Sequence, residues 1–273
     1  MLAPLASQKR MDLQLTGKRA LVSGSTAGIG YAIAEALAGE GVHVIVSGRT
    51  KERVDAAVTK LQKSGAREVK GLPADLTTAE GTREATTRYP DVDILVNNLG
   101  IFEPKPFEEI SDEDWFRFFE ANVMSGVRLS RHYLPRMKQR NWGRILFISS
   151  ESGLQIPVEM IHYGVTKTAQ IAVARGIAET TTGTNVTVNS VLPGPTASEG
   201  VADFVNQLAH QANKSSAEIE KDFFQYQRPT SILKRFEKPE EIAAAVVFLA
   251  SPLASAINGA AVRVDGGVVR SIS

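Results

Sequence analysis

Nothing in this 273-residue chain narrows its fold as much as residues 19–38. Arg19-Ala-Leu-Val-Ser23 is a short apolar run suited to a buried strand. It passes directly into Gly24-Ser-Thr-Ala-Gly28-Ile-Gly30, and the alanine-rich stretch that follows, to about Ala38, has helical composition. A strand joined to a helix by a tight glycine turn is the opening of a βαβ unit, which implies a parallel sheet covered by helices. Glycine tolerates positive φ and lets a backbone approach a ligand, while the free N–H groups and dipole of a helix start attract phosphate. A glycine loop alone is an ordinary turn. Between strand and helix, Gly24, Ser25, Thr26, Gly28, Ile29 and Gly30 are predicted to cradle a dinucleotide pyrophosphate, although the spacing is G-x-x-x-G-x-G rather than G-x-G-x-x-G.

A second constellation supplies chemistry. Arg144-Ile-Leu-Phe-Ile-Ser-Ser150 reads as a buried parallel strand that delivers Ser150 to the carboxyl edge of the sheet. Thirteen residues on, Tyr163-Gly-Val-Thr-Lys167 places a phenol and an ammonium at i and i+4 on one helical face. An ammonium close to a phenol favours phenolate and lowers a pKa that is normally near about 10. A phenol tuned in that way exchanges protons near neutral pH.

With both motifs present, the chain resembles the short-chain dehydrogenase/reductase family from about Leu15 to the C-terminus. Further motifs follow in order. Asp75-Leu76 comes after the third strand, where the resemblance implies contact with adenine. Asn97-Asn98-Leu99-Gly100 follows the fourth strand, Asp93–Val96, in place of the family's Asn-Asn-Ala-Gly, with Leu99 as a departure. Asn122, in a helix expected from Ser111 to about Arg140, matches the family's catalytic asparagine, which distorts its helix and holds a water for proton relay. Pro193-Gly194-Pro195-Thr196 follows the sixth strand, Val186–Leu192, as the nicotinamide-side loop, and Val264-Asp-Gly-Gly267 matches the closing strand. The implied fold class is α/β: a single-domain Rossmann fold with a doubly wound, mostly parallel seven-stranded sheet, helices on both faces and a small helical lid at about residues 196–238. Residues 1–14 are expected to be a flexible tail, and 15–273 the oxidoreductase domain.

Cofactor choice turns on the end of the second strand, Val42–Ser47, where an NAD site wants a carboxylate for the ribose hydroxyls. Gly48 and Arg49 stand there instead, and a planar guanidinium suits a 2′-phosphate. NADP(H) is therefore favoured over NAD(H). Lys51 and Arg53 are read as a solvated basic turn, and Ala27 withholds a further basic residue.

The resemblance implies hydride transfer between a nicotinamide and a carbonyl or alcohol carbon. Ser150 and Tyr163 bind the oxygen, Tyr163 is the proton donor, Lys167 holds the nicotinamide ribose and keeps the tyrosine acidic, and Asn122 completes the relay. Tyr163 and Lys167 thus serve both catalysis and cofactor binding, with Asn97, Asn98, Gly100, Pro193, Gly194 and Thr196. Phe102, Leu154, Ile156, Met160 and Phe204 are expected to wall the substrate pocket. The lid stretches, about Ser198–Gln211 and Ser216–Gln227, are expected to exclude water on closing. A partly apolar pocket leans toward a hydrophobic ketone or acyl group over a free sugar.

Two other readings compete. A 3-oxoacyl-[acyl-carrier-protein] reductase needs cations at the entrance, whereas Asn141, with Arg140 beside it, and Thr184 occupy the corresponding loops. A non-catalytic dinucleotide sensor or scaffold would show a damaged tetrad, and Asn122, Ser150, Tyr163 and Lys167 are all present. Ser150-Glu-Ser152-Gly153 lacks the leading glycine of a hydrolase nucleophile elbow.

Composition closes other routes. Lys plus Arg number 31 against 30 Asp plus Glu, so no excess charge calls for nucleic acid or an anionic membrane. The chain has no cysteine, which excludes disulfides and thiolate metal sites and is compatible with a cytoplasmic location. His43, His132, His162 and His210 have no ligand spacing, so no metal is expected. His162 is read as a surface or subunit-contact residue. No apolar run is long enough to span a membrane. The small, apolar run Ala169–Ala174 permits the pairing of helices between subunits that the resemblance implies, giving a homodimer or homotetramer with a small-molecule substrate.

Overall fold

The computed structural model describes residues 11–66, 68–199, 201 and 214–272. Seven strands form one sheet in the order β3-β2-β1-β4-β5-β6-β7. They are β1 (Arg19–Val22), β2 (His43–Gly48), β3 (Val69–Pro73), β4 (Ile94–Asn97), β5 (Gly143–Ile148), β6 (Val186–Pro193) and β7 (Ala261–Val264). All six pairings are parallel, with Val22 opposite Val46 on one side and Val96 on the other. The order reverses between β1 and β4, and in such sheets ligands bind at the carboxyl edge of that switch point.

Strand alternation divides the core into two layers. Ala20, Val22, Val44, Val46, Ile94, Val96, Leu146 and Ile148 face the apolar sides of α1 (Gly28–Gly39), α2 (Lys51–Lys63) and α8 (Pro239–Ala250). Leu21, Ile45, Leu95, Ile145, Phe147 and Val188 face α3 (Ala79–Arg88), α5 (Ser125–Gln139) and α6 (Ile161–Glu179). A period of two on strands buried on both faces is what helices on both sides require.

The elements differ from the sequence expectation at functional places. The helix expected over 111–140 is two helices, α4 (Asp112–Phe119) and α5, joined by a π-turn at Glu120–Met124. Gln170 Nε2 donates to the Asn122 carbonyl at 2.6 Å, and the Ser125 hydroxyl takes the Ala121 carbonyl at 2.6 Å, which diverts acceptors from the regular ladder. β5 ends at Ile148, so Ser149 and Ser150 project beyond the sheet. β7 ends at Val264, and Gly266 and Gly267, at φ of 57° and 74°, turn the chain after it.

In the segment after β6, Glu199 and Val201 are helical, and 202–213, including Phe204, lie outside the described residues. The second expected stretch is α7 (Ser216–Asp222), opened by a Ser215–Glu218 capping box and continued by a π-turn over Phe223–Gln227.

Candidate active site

Ser150, Tyr163 and Lys167 meet at a cavity of about 410 Å³ outside the carboxyl ends of β4, β5 and β6. Each arrives by its own element. Ser150 extends from β5, its hydroxyl accepting from the Ser152 N–H at 3.1 Å and hydrogen-bonding the Tyr163 phenol. Tyr163 and Lys167 come from the first turns of α6. The Lys167 ammonium donates to the Ile148 carbonyl at 2.9 Å and lies 5.5 Å from the Tyr163 ring centre.

Asn122, fully buried in the π-turn, accepts from the Ile101 N–H at 2.7 Å. Its amide donates to the Ile101 carbonyl at 3.0 Å and to Thr166 Oγ1 at 2.9 Å. It therefore ties the segment after β4 to α6. A Cβ on Gly100 would stand 3.4 Å from both Asn122 Oδ1 and Lys167 Nζ, so glycine keeps that wall thin.

The glycine turn is built from backbone and struts. Gly24 and Gly28 have φ of 62° and 56°, and a Cβ on Gly30 would lie 2.4 Å from both Asn98 Nδ2 and the Gly24 carbonyl. Asn98 donates its amide to the Ser23 and Gly24 carbonyls, each at 3.0 Å. The N-termini of α2, α3 and α4 are capped by Thr50, Thr78 and Ser111 side chains, whereas Ala27 leaves α1 with no side-chain cap. The first-turn amides of α1 are thus available to an anion.

Residues 24–269 match the family model described as enoyl-(acyl carrier protein) reductase. The chain is 53% identical over 263 residues to the uncharacterized oxidoreductase YvaG of Bacillus subtilis, covering 96% of this chain and all of that one. It belongs to the short-chain dehydrogenase/reductases. It is also 34% identical to the 3-oxoacyl-[acyl-carrier-protein] reductase FabG of Aquifex aeolicus, over 94% of this chain and all of the relative. Among solved structures, L-sorbose reductase from Gluconobacter frateurii, complexed with NADPH and L-sorbose, superposes with a TM-score of 0.91 at 31% identity, over 96% of this chain and 100% of that one.

Within this short-chain dehydrogenase/reductase the sites proposed from sequence separate into groups. Ile29, Asn98, Gly100, Phe102, Met160, Pro193, Gly194 and Thr196 border the cavity with Ser150, Tyr163 and Lys167, whereas Asn122 lies behind its wall. Arg49 is exposed just past β2, and Thr26 packs its methyl against Gly48. Four positions are also tied into the fold. Ser25 is spent internally, its hydroxyl on the Val22 carbonyl at 2.7 Å and its N–H on the Ser47 carbonyl at 2.9 Å. Leu76 is buried in the core, Asn97 donates to Ser130 Oγ at 3.2 Å, and the Asp75 carboxylate closes on Thr77. Leu154 and Ile156 are corrections of another kind. They are 45% and 39% exposed and stand away from the cavity, because the short 3₁₀ turn after Ser150 carries Glu151 and Ser152 inward in their place.

Sequence reasoning missed an ion cluster in the cavity wall. Arg228 Nε donates to Glu151 Oε1 at 3.0 Å and its Nη1 to Glu159 Oε1 at 2.9 Å. Glu151 had a visible signal, adjacency to Ser150, but Arg228 is 77 positions from it and had none. Glu237 was missed as well. It is buried beneath the loop after β6, accepts from the Gly194 N–H at 3.1 Å, and is pushed by burial up to about 7. His162 is not on the surface: it is wholly buried, its ring 3.9 Å from that of Phe118, because α4 packs directly on α6.

The expected acidic phenol is corrected too. Burial raises Tyr163 to about 12, partly offset by the Ser150 hydrogen bond, and burial lowers Lys167 to about 7. Burial pushes Lys167 toward the uncharged amine, which weakens its pull on the phenol, and the buried Tyr163 stays a neutral phenol at neutral pH.

The residues present fit a dinucleotide. The uncapped α1 amides and the glycine-rich turn suit a pyrophosphate, and no acidic side chain follows β2 before Glu52.

Proposed function

We propose that this oxidoreductase uses NADP(H) to reduce a ketone to a secondary alcohol, or runs the reverse, with Tyr163 as proton donor. The observation that carries the reading is the convergence of Ser150, Tyr163 and Lys167 on one cavity beside an uncapped glycine turn. The α1 amides and Gly24–Gly30 would hold the pyrophosphate, Arg49 the 2′-phosphate, and Lys167 the nicotinamide ribose; NADPH, when bound, supplies the hydride. Arg49 makes no ion pair among the described residues, which leaves its guanidinium available.

Ser150 and Tyr163 place two hydroxyl donors where negative charge develops on the carbonyl oxygen. A neutral phenol is the form needed for reduction, because it carries the proton to be given. Asn122 braces the Ile101 segment against α6 and so fixes the spacing between the cavity wall and Tyr163. Its main-chain carbonyl accepts from Gln170, which anchors the π-turn to α6.

A carrier-protein reductase ranks lower. Arg140 is paired with Asp91 at 2.7 Å, and Asn141 and Thr184 serve the turns beside β6, through bonds to the Asn185 N–H and the Thr181 carbonyl. A homodimer or homotetramer fits the exposed Phe116 and Phe119 on α4 and Val165 on α6. A cytoplasmic location suits the cysteine-free chain, and among the described residues no helix is long and apolar enough to cross a membrane.

Parallel assays of NADPH and NADH oxidation against ketones, diketones and quinones test the reading, with Tyr163→Phe alongside. Turnover should fall about 10²–10⁴-fold in the variant while dinucleotide affinity stays within about threefold. Substantial residual turnover in Tyr163→Phe would remove the assignment, and dinucleotide binding without turnover on any compound would favour a sensor.

A further inference from the structure

The substrate end of the cavity contains more negative than positive charge. Among its described lining residues the cations are Lys167 and Arg228, and the carboxylates are Glu151, Glu159 and Asp222. Neither cation is available to a substrate anion. Lys167 donates to the Ile148 carbonyl from within the cofactor side, and burial pushes it toward the neutral amine. Arg228, 7% exposed, is held by Glu151 and Glu159 together. Asp222 is balanced by Lys214 at 2.6 Å. With both carboxylates ionised the Glu151–Arg228–Glu159 cluster carries one surplus negative charge; burial pushes the Glu151 carboxyl up despite Arg228, and its Oε2 is buried without a hydrogen-bond partner, so Glu159 holds the more firmly ionised carboxylate.

Phe102, Pro104, Met160, Ile219, Phe223 and Phe236 give the remaining wall an apolar stretch, with Tyr226 and Gln227 beside it. Apolar surroundings lower the local dielectric around the buried Glu151 and Arg228, while the Glu159 side chain stays 35% exposed and is partly screened.

We propose, resting on the ketone-reductase reading, that Glu151, Arg228 and Glu159 make this chamber selective for uncharged ketones and reject ketones bearing a carboxylate. A carboxylate entering beside Ser150 would meet a net negative wall with its one nearby guanidinium already doubly paired. One unbalanced charge at about 6 Å, at an effective dielectric constant near 20, corresponds to roughly a hundredfold in kcat/KM. The cluster also decides this by its position: Glu151 follows the hydroxyl that binds the carbonyl oxygen, and Glu159 lies one turn before Tyr163.

The test compares methyl acetoacetate with acetoacetate, matched in length and differing in charge, in two measurements. The first is kcat/KM with NADPH. The second is calorimetric binding of each compound to the wild-type protein saturated with NADP⁺, which cannot reduce them. The ester should exceed the carboxylate about a hundredfold in kcat/KM, with a parallel preference in binding. In Glu159→Gln, which keeps an oxygen for Arg228 and removes the surplus charge, the ester-to-carboxylate ratio should fall at least about tenfold in both kcat/KM and binding. A wild-type enzyme that takes acetoacetate as well as its ester overturns the charge selection and leaves the reductase reading standing. Ester-selective binding with no turnover of either compound supports the selection and overturns the reductase reading instead.

Discussion

Lys167 and Glu237 are ionisable groups held where water would otherwise stabilise their charge, and each leaves a mark on stability against pH. Lys167, lowered to about 7 by burial, binds fewer protons folded than unfolded between that value and its ordinary 10.5. Stability from this residue therefore rises with pH across that window. The melting temperature of the dinucleotide-free protein should climb less between pH 7 and pH 9.5 in Lys167→Met than in the wild type; parallel curves would contradict the burial effect. Glu237 has the opposite sign. Raised from 4.5 to about 7, it binds more protons folded than unfolded, so its contribution falls as pH rises through that range. Glu237→Gln keeps an acceptor for the Gly194 N–H and should raise the melting temperature at pH 8 with little change at pH 5. Neither effect could be read from sequence: Tyr-x-x-x-Lys announces proximity, but desolvation depends on what packs over the pair.

At the scale of elements, the glycine turn and α1 show how one residue type carries two unrelated duties. A Cβ on Gly30 would collide with the Gly24 carbonyl and with Asn98 Nδ2, each at 2.4 Å, and with Ser25 Cα at 3.0 Å. Two of those neighbours are backbone and cannot give way. Gly39, the last residue of the same helix, has nothing within 4 Å. Gly30→Ala should destabilise by about 1–3 kcal/mol and weaken dinucleotide binding more than about tenfold, whereas Gly39→Ala should be neutral or stabilising by up to about 1 kcal/mol. Denaturant titration and dinucleotide fluorescence check both. The π-turn between α4 and α5 belongs to this scale also. The sequence reads as one amphipathic run, and the interruption follows from Gln170, 48 positions away, reaching the Asn122 carbonyl.

For the whole molecule, the sheet order and the two-layer core put every chemical group at one edge. Strands buried on both faces can present functional side chains only where they end. On α4, Phe116 is 74% exposed, and Phe119, three residues on, shares its face. Covering that face with a second copy would remove it from water. Sedimentation should report a dimer or tetramer at micromolar concentration, and Phe116→Glu should shift it toward monomer by disfavouring burial of a charge; a wild-type monomer would contradict the pairing.

What the sequence by itself determined is whatever rests on local chemistry: strand–glycine–helix succession, the short apolar runs of the strands, the spacing of Tyr163 and Lys167, and the order of motifs that resembled a family. Those signals lie within a few residues of one another, and local sterics and hydrogen bonding read them directly. Tertiary structure alone decided which motif residues face the cavity. Ser25, Leu76 and Asn97 turned inward to brace the fold, and Leu154 and Ile156 gave place to Glu151 and Ser152. It also decided the charge of the substrate chamber, because Glu151, Glu159 and Arg228 meet only after the segment following β6 folds back over the sheet edge. Their ion pairs form across 77 and 69 positions, distances at which sequence carries no pairing signal and only packing brings charges together.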